Sequence, residues 1–281
     1  MYSIKLRSLQ IFWIIAVIIL LISGCASTID YKNIQNDFTK AVEADNLQSY
    51  DPQMLGTLTT TYQHKYEDVI QRLKEPNIQS IDPRLKMNAY TMKAISQWRT
   101  GRLDEARQTV ALSQAQPDAS VGARDKMVLR ILPALITDQE LTQKYRRLKV
   151  FVENPLFRKL SYQDYKKDFE KGYYQAVYSL KDAIKKIPPE LPENMVDYIH
   201  FQRWRILKNW LITIFSMPEG NSRGDAYQVA KNLLDVDLNK EIENEINAVK
   251  QGAYLWNLMK SFTLPKLPIG KTPPKPTETK L

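Results

Sequence analysis

The chain has 281 residues with one cysteine, two histidines and nine glycines, is 43% apolar and 25% charged, and carries a net charge of +9. A single cysteine excludes an internal disulfide framework and a cysteine-clustered zinc site, and two histidines leave little for a histidine-based metal site. With no Gly-x-Gly cluster there is no nucleotide-cradling loop, so no metal and no cofactor are implied, and the apolar content is that of a folded chain.

Residues 1–24 have the three-part build of an export signal. Lys5 and Arg7 make a positive start, and Ile11 to Ile22 is an unbroken run of twelve apolar residues. A membrane-spanning helix needs ~20 such residues, so this run suits a signal core better than a permanent span. It ends in Ile22-Ser23-Gly24-Cys25. That sequence resembles the lipobox of bacterial lipoproteins: an aliphatic residue, two small residues, then cysteine. The resemblance implies diacylglycerol on the Cys25 thiol, cleavage before it, and usually acylation of the new amine. Two or three acyl chains hold a protein stably at a bilayer, at ~0.8 kcal/mol per buried CH₂. Membrane lipid is then the first partner, and the remainder of the chain faces water. Residue 26 is alanine rather than aspartate, which by resemblance to enterobacterial sorting implies the outer membrane. Without Lys5 and Arg7 the net charge is +7. An exported chain does not meet nucleic acid routinely, so the anions open to it are lipid headgroups, acidic wall polymer or an acidic protein face. A solvated basic surface is the plain alternative.

The expected organisation is a signal over 1–24, a lipidated spacer over 25–30, a helical body over 31–261 and a Pro/Lys-rich tail over 262–281. Tyr31, Ile34, Phe38 and Val42 recur at helical spacing over 31–45. A helix over 53–74 with a Thr-rich middle comes next, then a loop bracketed by Pro76 and Pro83. Helices are expected over 84–99 and 103–116, split at Thr100-Gly101. Two more are expected over 121–138 and 139–152, with Pro133 bending or dividing the first. Ser161 with Asp164 reads as a capping box opening a helix to about Lys186. Helix 194–216 is apolar on more than one side, the mark of burial among other helices. Ser222 with Asp225 suggests a second capping box opening 223–235. A final helix over 238–261 places Ile242, Ile246, Val249, Ala253 and Trp256 on one seam. Five prolines and four lysines in 262–281 predict an extended basic tail.

The predicted fold class is therefore all-α, as helical repeats or as an irregular bundle. Residues 87–117 carry Ala94, Gly101, Ala106, Val110, Ser113 and Pro117 in the small, turn and bulky places of a tetratricopeptide repeat, which this stretch resembles. Tyr90 stands where tryptophan is usual, and Lys93 and Gln97 depart from apolar positions of the first helix. Weaker matches are Ala176, Leu180, Ala183 and Pro188, then Ala226, Ala230 and Leu233. Small residues let antiparallel helices approach closely, and bulky ones fill the gap to the next pair.

No Gly-x-Ser-x-Gly, His-Glu-x-x-His or His-x-x-x-His occurs, so the motifs of serine and zinc hydrolases are missing. His64 reads as a polar helix residue, and His200 as half-buried among Tyr198, Phe201 and Trp204. Asp164, Asp168 and Glu170 lie among Lys166, Lys167 and Lys171, the pattern of a solvated face. The remaining feature is an aromatic stripe: Tyr162, Tyr165, Phe169, Tyr173, Tyr174 and Tyr178. It forms either the core between helices or a groove for a protein partner. The expectation is a periplasm-facing lipoprotein with a non-catalytic scaffold or adaptor role in envelope assembly or secretion. The alternatives are a ligand-binding or transporter-accessory lipoprotein with an aromatic pocket, and a wall enzyme using carboxylates.

Overall fold

The computed structural model describes residues 31–45, 63–116, 122–152, 160–218, 220–250 and 253–261. The signal, Cys25, the Thr-rich stretch at 57–61, Pro117 and the Pro/Lys-rich tail lie outside the described residues. Every described element is helical, and no strand occurs among the described residues. In chain order these are α1 (31–45), α2 (Gln63–Arg72), α3 (Glu75–Ser80), α4 (Pro83–Arg99), α5 (Leu103–Gln114) and α6 (Ala123–Val152). They continue as α7 (Tyr162–Tyr165), a π-helical turn (Lys166–Glu170), α8 (Lys171–Lys185), α9 (Glu193–Phe215), α10 (Asn221–Leu234), α11 (Leu238–Ala248) and α12 (Ala253–Lys260). Where the sequence suggests one helical body over 31–261, the helices group into two compact units, divided within α6 between Leu129 and Arg130.

The first unit is built on α1 to α5. Tyr31, Ile34, Val69, Leu73, Ile78 and Tyr90 form its core, with Phe38 and Ile81 packed at its edge. Polar ties close the ends of the helices. Arg99 grips Asp45 with two bonds of 2.6 Å, and Tyr66 donates to the same carboxylate at 2.8 Å. Such a forked, largely buried pair fixes geometry in a way that a mobile surface pair cannot.

Helices α4 and α5 form an antiparallel hairpin with Ala94, Ala106 and Ser113 fully buried and Val110 4% exposed. Ser113 reaches across to Met87 O at 3.3 Å, which needs the close approach that small side chains permit. The turn is a Schellman motif: Arg102 N donates to Gln97 O at 2.9 Å and Gly101 N to Trp98 O at 3.1 Å. Gly101 occupies the left-handed region at φ 81. A Cβ there is strained, so Gly101→Ala is expected to cost about 1–2 kcal/mol. Urea unfolding checks this: the midpoint falls while the slope stays unchanged, and an unshifted midpoint would contradict the turn geometry.

The second unit centres on α9. Trp204, Ile206, Leu207, Trp210, Leu211 and Ile214 are at most 1% exposed, and α8, α10, α11 and α12 pack around this helix. Gly172 lets α8 approach α6 closely, since a Cβ on it would sit 2.9 Å from Leu141 Cδ2.

Several sequence expectations change. Pro133 lies inside one continuous 30-residue α6 and does not divide it. It forfeits one backbone bond, but Leu129, Ile131, Leu132, Leu135 and Ile136 are each at most 4% exposed, and their burial keeps both sides helical. The expected loop between Pro76 and Pro83 contains α3, which tolerates Pro76 because proline in the first turn removes only an orphan donor. The final helix is two helices. Val249 leaves α-helical geometry at φ −73, ψ 119, and Lys250 N donates to Asp197 Oδ1 at 2.9 Å instead of continuing a helix. The Ser161 cap is present, accepting from Asp164 N at 3.1 Å. The Ser222 cap is not: α10 begins earlier, after Gly220 at φ 130, which places Ser222 inside the helix.

Candidate interaction sites

The aromatic stripe divides between interior and surface. Tyr165, Phe169 and Tyr173 are at most 1% exposed. Phe169 stacks on Tyr173 with centroids 6.3 Å apart, and Tyr173 on Trp210 at 6.0 Å. Trp210 Nε1 donates to the Tyr165 hydroxyl at 2.6 Å, and the Tyr173 hydroxyl meets Thr213 Oγ1 at 3.0 Å. Burial pushes both phenols well above the ordinary tyrosine range. These three residues fill space and line no groove, so as partner-binding residues they are corrected to core. Tyr162 and Tyr174 are half-buried and Tyr178 is 58% exposed. Tyr174 and Tyr178 pair on the outer side of α8, 5.8 Å apart.

The second unit also buries charge, which sequence reasoning missed. Arg203 on α9 bonds both Glu241 and Glu245 of α11, and all three side chains are at most 6% exposed. Lys181 lies 3.5 Å from Glu241, and His200 Nδ1 lies 2.7 Å from Glu245. Burial pushes the Glu241 carboxyl up, but the Arg203 hydrogen bond and charge, with Asn244 and Lys181, outweigh it and hold it below the usual range. Asp138 of α6 is wholly buried, 2.8 Å from Arg205 Nη2, and accepts from Asn209 Nδ2 at 3.1 Å. Paired charges of this kind orient helices and fix register. Among the described residues, no group of three His, Cys, Asp or Glu could hold a metal ion. His64 is exposed on α2. Asp164 is exposed, Asp168 and Glu170 are half-buried, and the last two fall in the π-helical turn.

The first unit carries an open recess of about 250 Å³ between α2, α4 and the start of α5. Ile70 supplies an apolar wall, and Lys74, Glu75, Lys93, Gln97, Arg102 and Glu105 supply the rest with Gln71. Lys93 and Gln97 are the two residues that depart from the apolar pattern of the repeat-like hairpin. Both line the recess. Three of the charges around it have bonded partners. Glu75 accepts from the Tyr90 hydroxyl at 2.6 Å and from Gln79 at 2.7 Å, and these bonds lower its carboxyl below the usual range. Burial, then the bond to Glu75, raises the Tyr90 phenol to about 12. Arg102 of the lining binds Glu67 of α2 at 2.5 Å. Gln97 is 3% exposed and donates to Glu105 at 3.3 Å, while its Oε1 has no hydrogen-bond partner among the described residues. Donors and acceptors of both signs around a shallow opening suit a polar peptide segment better than an apolar small molecule.

Compared with known proteins, the chain matches no family model, and neither a curated protein sequence nor a solved structure resembles it at a significant level. The chain is an all-α protein with a hairpin recess in its first unit and a charged, tightly tied helical interior in its second.

Proposed function

We propose that this chain is an acylated bacterial envelope lipoprotein, tethered through Cys25 to the periplasmic face of the outer membrane, whose helical body holds a protein partner without catalysis. The observation that carries the adaptor reading is the recess at Lys93 and Gln97. Polar side chains stand there in place of the apolar residues of a tetratricopeptide-like hairpin, and Glu75, Arg102 and Glu105 beside them have bonded partners. Burial of Ala94, Ala106, Val110 and Ser113 at the α4–α5 contact supports the repeat-like reading of 87–117. The lipobox-like end at Ile22 to Cys25 supports the anchor, and no described helix is long and apolar enough to cross a membrane.

Two measurements test this reading separately. Labelled palmitate is expected on the full chain and not on Cys25→Ala, and equal labelling of the two would remove the anchor. For the adaptor role, crosslinking in intact cells is expected to trap a protein at the recess. Lys93→Glu combined with Gln97→Leu is expected to lower its yield about tenfold, the size of a lost charge-assisted contact. An undiminished yield with a correctly folded double variant would remove the recess as the partner site.

A further inference from the structure

The outer face of α8 is unlike the rest of that helix. From Lys171 to Lys186 the chain carries four lysines and one acidic residue, Asp182. Asp182 is bound by Lys186 at 2.7 Å, and Lys181 leans 3.5 Å from buried Glu241. Lys171 and Lys185 are exposed and make no ion pair among the described residues. Between them stand Tyr174 and Tyr178, and the four residues, at successive spacings of three, four and seven, fall on the same side of the helix. The patch runs about 21 Å, at 1.5 Å rise per residue. Its centre is the tilted tyrosine pair, with Tyr178 58% exposed, the most exposed of the large apolar side chains among the described residues.

We infer that this face of α8 lies against an anionic lipid surface. The inference rests on the anchored-lipoprotein reading, which brings the body near a bilayer. Three physical features favour lipid over a protein occupant. The patch is a row of side chains along one helix, and a planar interface needs no groove. Tyrosine is suited to the headgroup layer, where its ring and its hydroxyl find different surroundings. Lysines flanking it add attraction to anionic headgroups that falls off within a Debye length. Such a patch is too weak to hold a free protein. Acyl chains on Cys25 would convert its binding into a tethered event at high effective concentration, where a weak contact suffices to orient the unit.

The test uses the complete mature chain with Cys25→Ser, so that acyl chains contribute nothing. It is sedimented with vesicles of phosphatidylethanolamine and phosphatidylglycerol, and separately with vesicles of phosphatidylcholine alone. Binding to the anionic vesicles is expected to be several-fold greater, and to vanish at ~1 M salt, where screening leaves a Debye length of ~3 Å. Lys171→Glu and Lys185→Glu are each expected to lower the bound fraction at least fivefold. Tyr174→Ser with Tyr178→Ser is expected to lower it while leaving the helical circular dichroism unchanged, because both side chains reach the surface. Equal binding by all variants, or equal binding to both vesicle types, would overturn the inference. Soluble polyglutamate binding to this face in place of vesicles would overturn it in favour of an acidic protein surface. Palmitate incorporation without vesicle binding would sink the α8 contact and leave the anchor. Vesicle binding without palmitate incorporation would do the reverse.

Discussion

Replacing Arg203 by alanine is expected to destabilise the second unit by about 3–5 kcal/mol, the cost of removing one partner from a buried ion pair. The arginine satisfies two carboxylates at once, and neither Glu241 nor Glu245 is more than 6% exposed. Lys181 and His200 remain beside them but stand at the margin, with 37% and 14% of their side chains exposed. Arg203→Met combined with Glu241→Leu and Glu245→Leu is expected to recover most of the loss, since a buried ion pair often does no better than packed apolar groups. Glu241 adds a signature in pH. Its folded-state carboxyl is held low, so its contribution is complete above the ordinary glutamate value of 4.5 and is lost as pH falls through the lower folded value. Glu241→Gln is therefore expected to flatten the acid limb of the stability profile while lowering stability at neutral pH. Urea titrations from neutral pH to about pH 3 check both parts. A Glu241→Gln profile that stays as steep as the parent's would show that other carboxylates carry the acid response.

These charges mark the boundary of what the sequence discloses. Helix α9 is legible as buried from its apolar residues on several sides, and the observed Glu193–Phe215 follows the expectation closely. Its polar residues are not legible in the same way: Arg203, Lys208 and Asn209 are each at most 3% exposed. Arg203 and Asn209 have partners in distant segments: Glu241 and Glu245 lie 38 and 42 residues from Arg203, and Asp138 lies 71 from Asn209. Lys208 instead rests 5.0 Å over the Trp204 ring. Helical periodicity compares a residue only with its own helix, so it cannot see a charge neutralised from elsewhere. The π-helical turn at Lys166–Glu170 is equally hidden, because its residues are ordinary helix formers. The aromatic stripe fails more instructively. The π turn adds a residue to the period, so the six rings do not form one face, and only Tyr174 and Tyr178 emerge together on the outside. The recess is not read from the sequence, although a trace of it is there. Lys93 and Gln97 break the apolar pattern of the hairpin, and the fold leaves open space beside them. A local violation of a packing rule is a place to look for a site.

Truncating Trp210 to alanine is expected to cost about 3–5 kcal/mol, the range for deleting a large buried ring. Trp210 is fully buried, stacks on Tyr173 with planes 12° apart, and donates its indole N–H to Tyr165 at 2.6 Å. It thereby joins α9 to both α7 and α8, so the cavity would open where three segments meet. Trp210→Phe separates bulk from bonding. It keeps a ring against Tyr173 but leaves the Tyr165 hydroxyl without its donor in a buried place, at about 1–3 kcal/mol. Against a total of ~5–15 kcal/mol for a folded domain, the first change removes a large part of the stability and the second a smaller one. Thermal and urea unfolding of both variants read the difference, with near-ultraviolet circular dichroism reporting the loss of the fixed ring environment. If the two variants unfold at the same midpoint, the hydrogen bond to Tyr165 dominates and ring packing contributes little. If Trp210→Phe is neutral, packing alone holds these helices together and the indole bond is incidental.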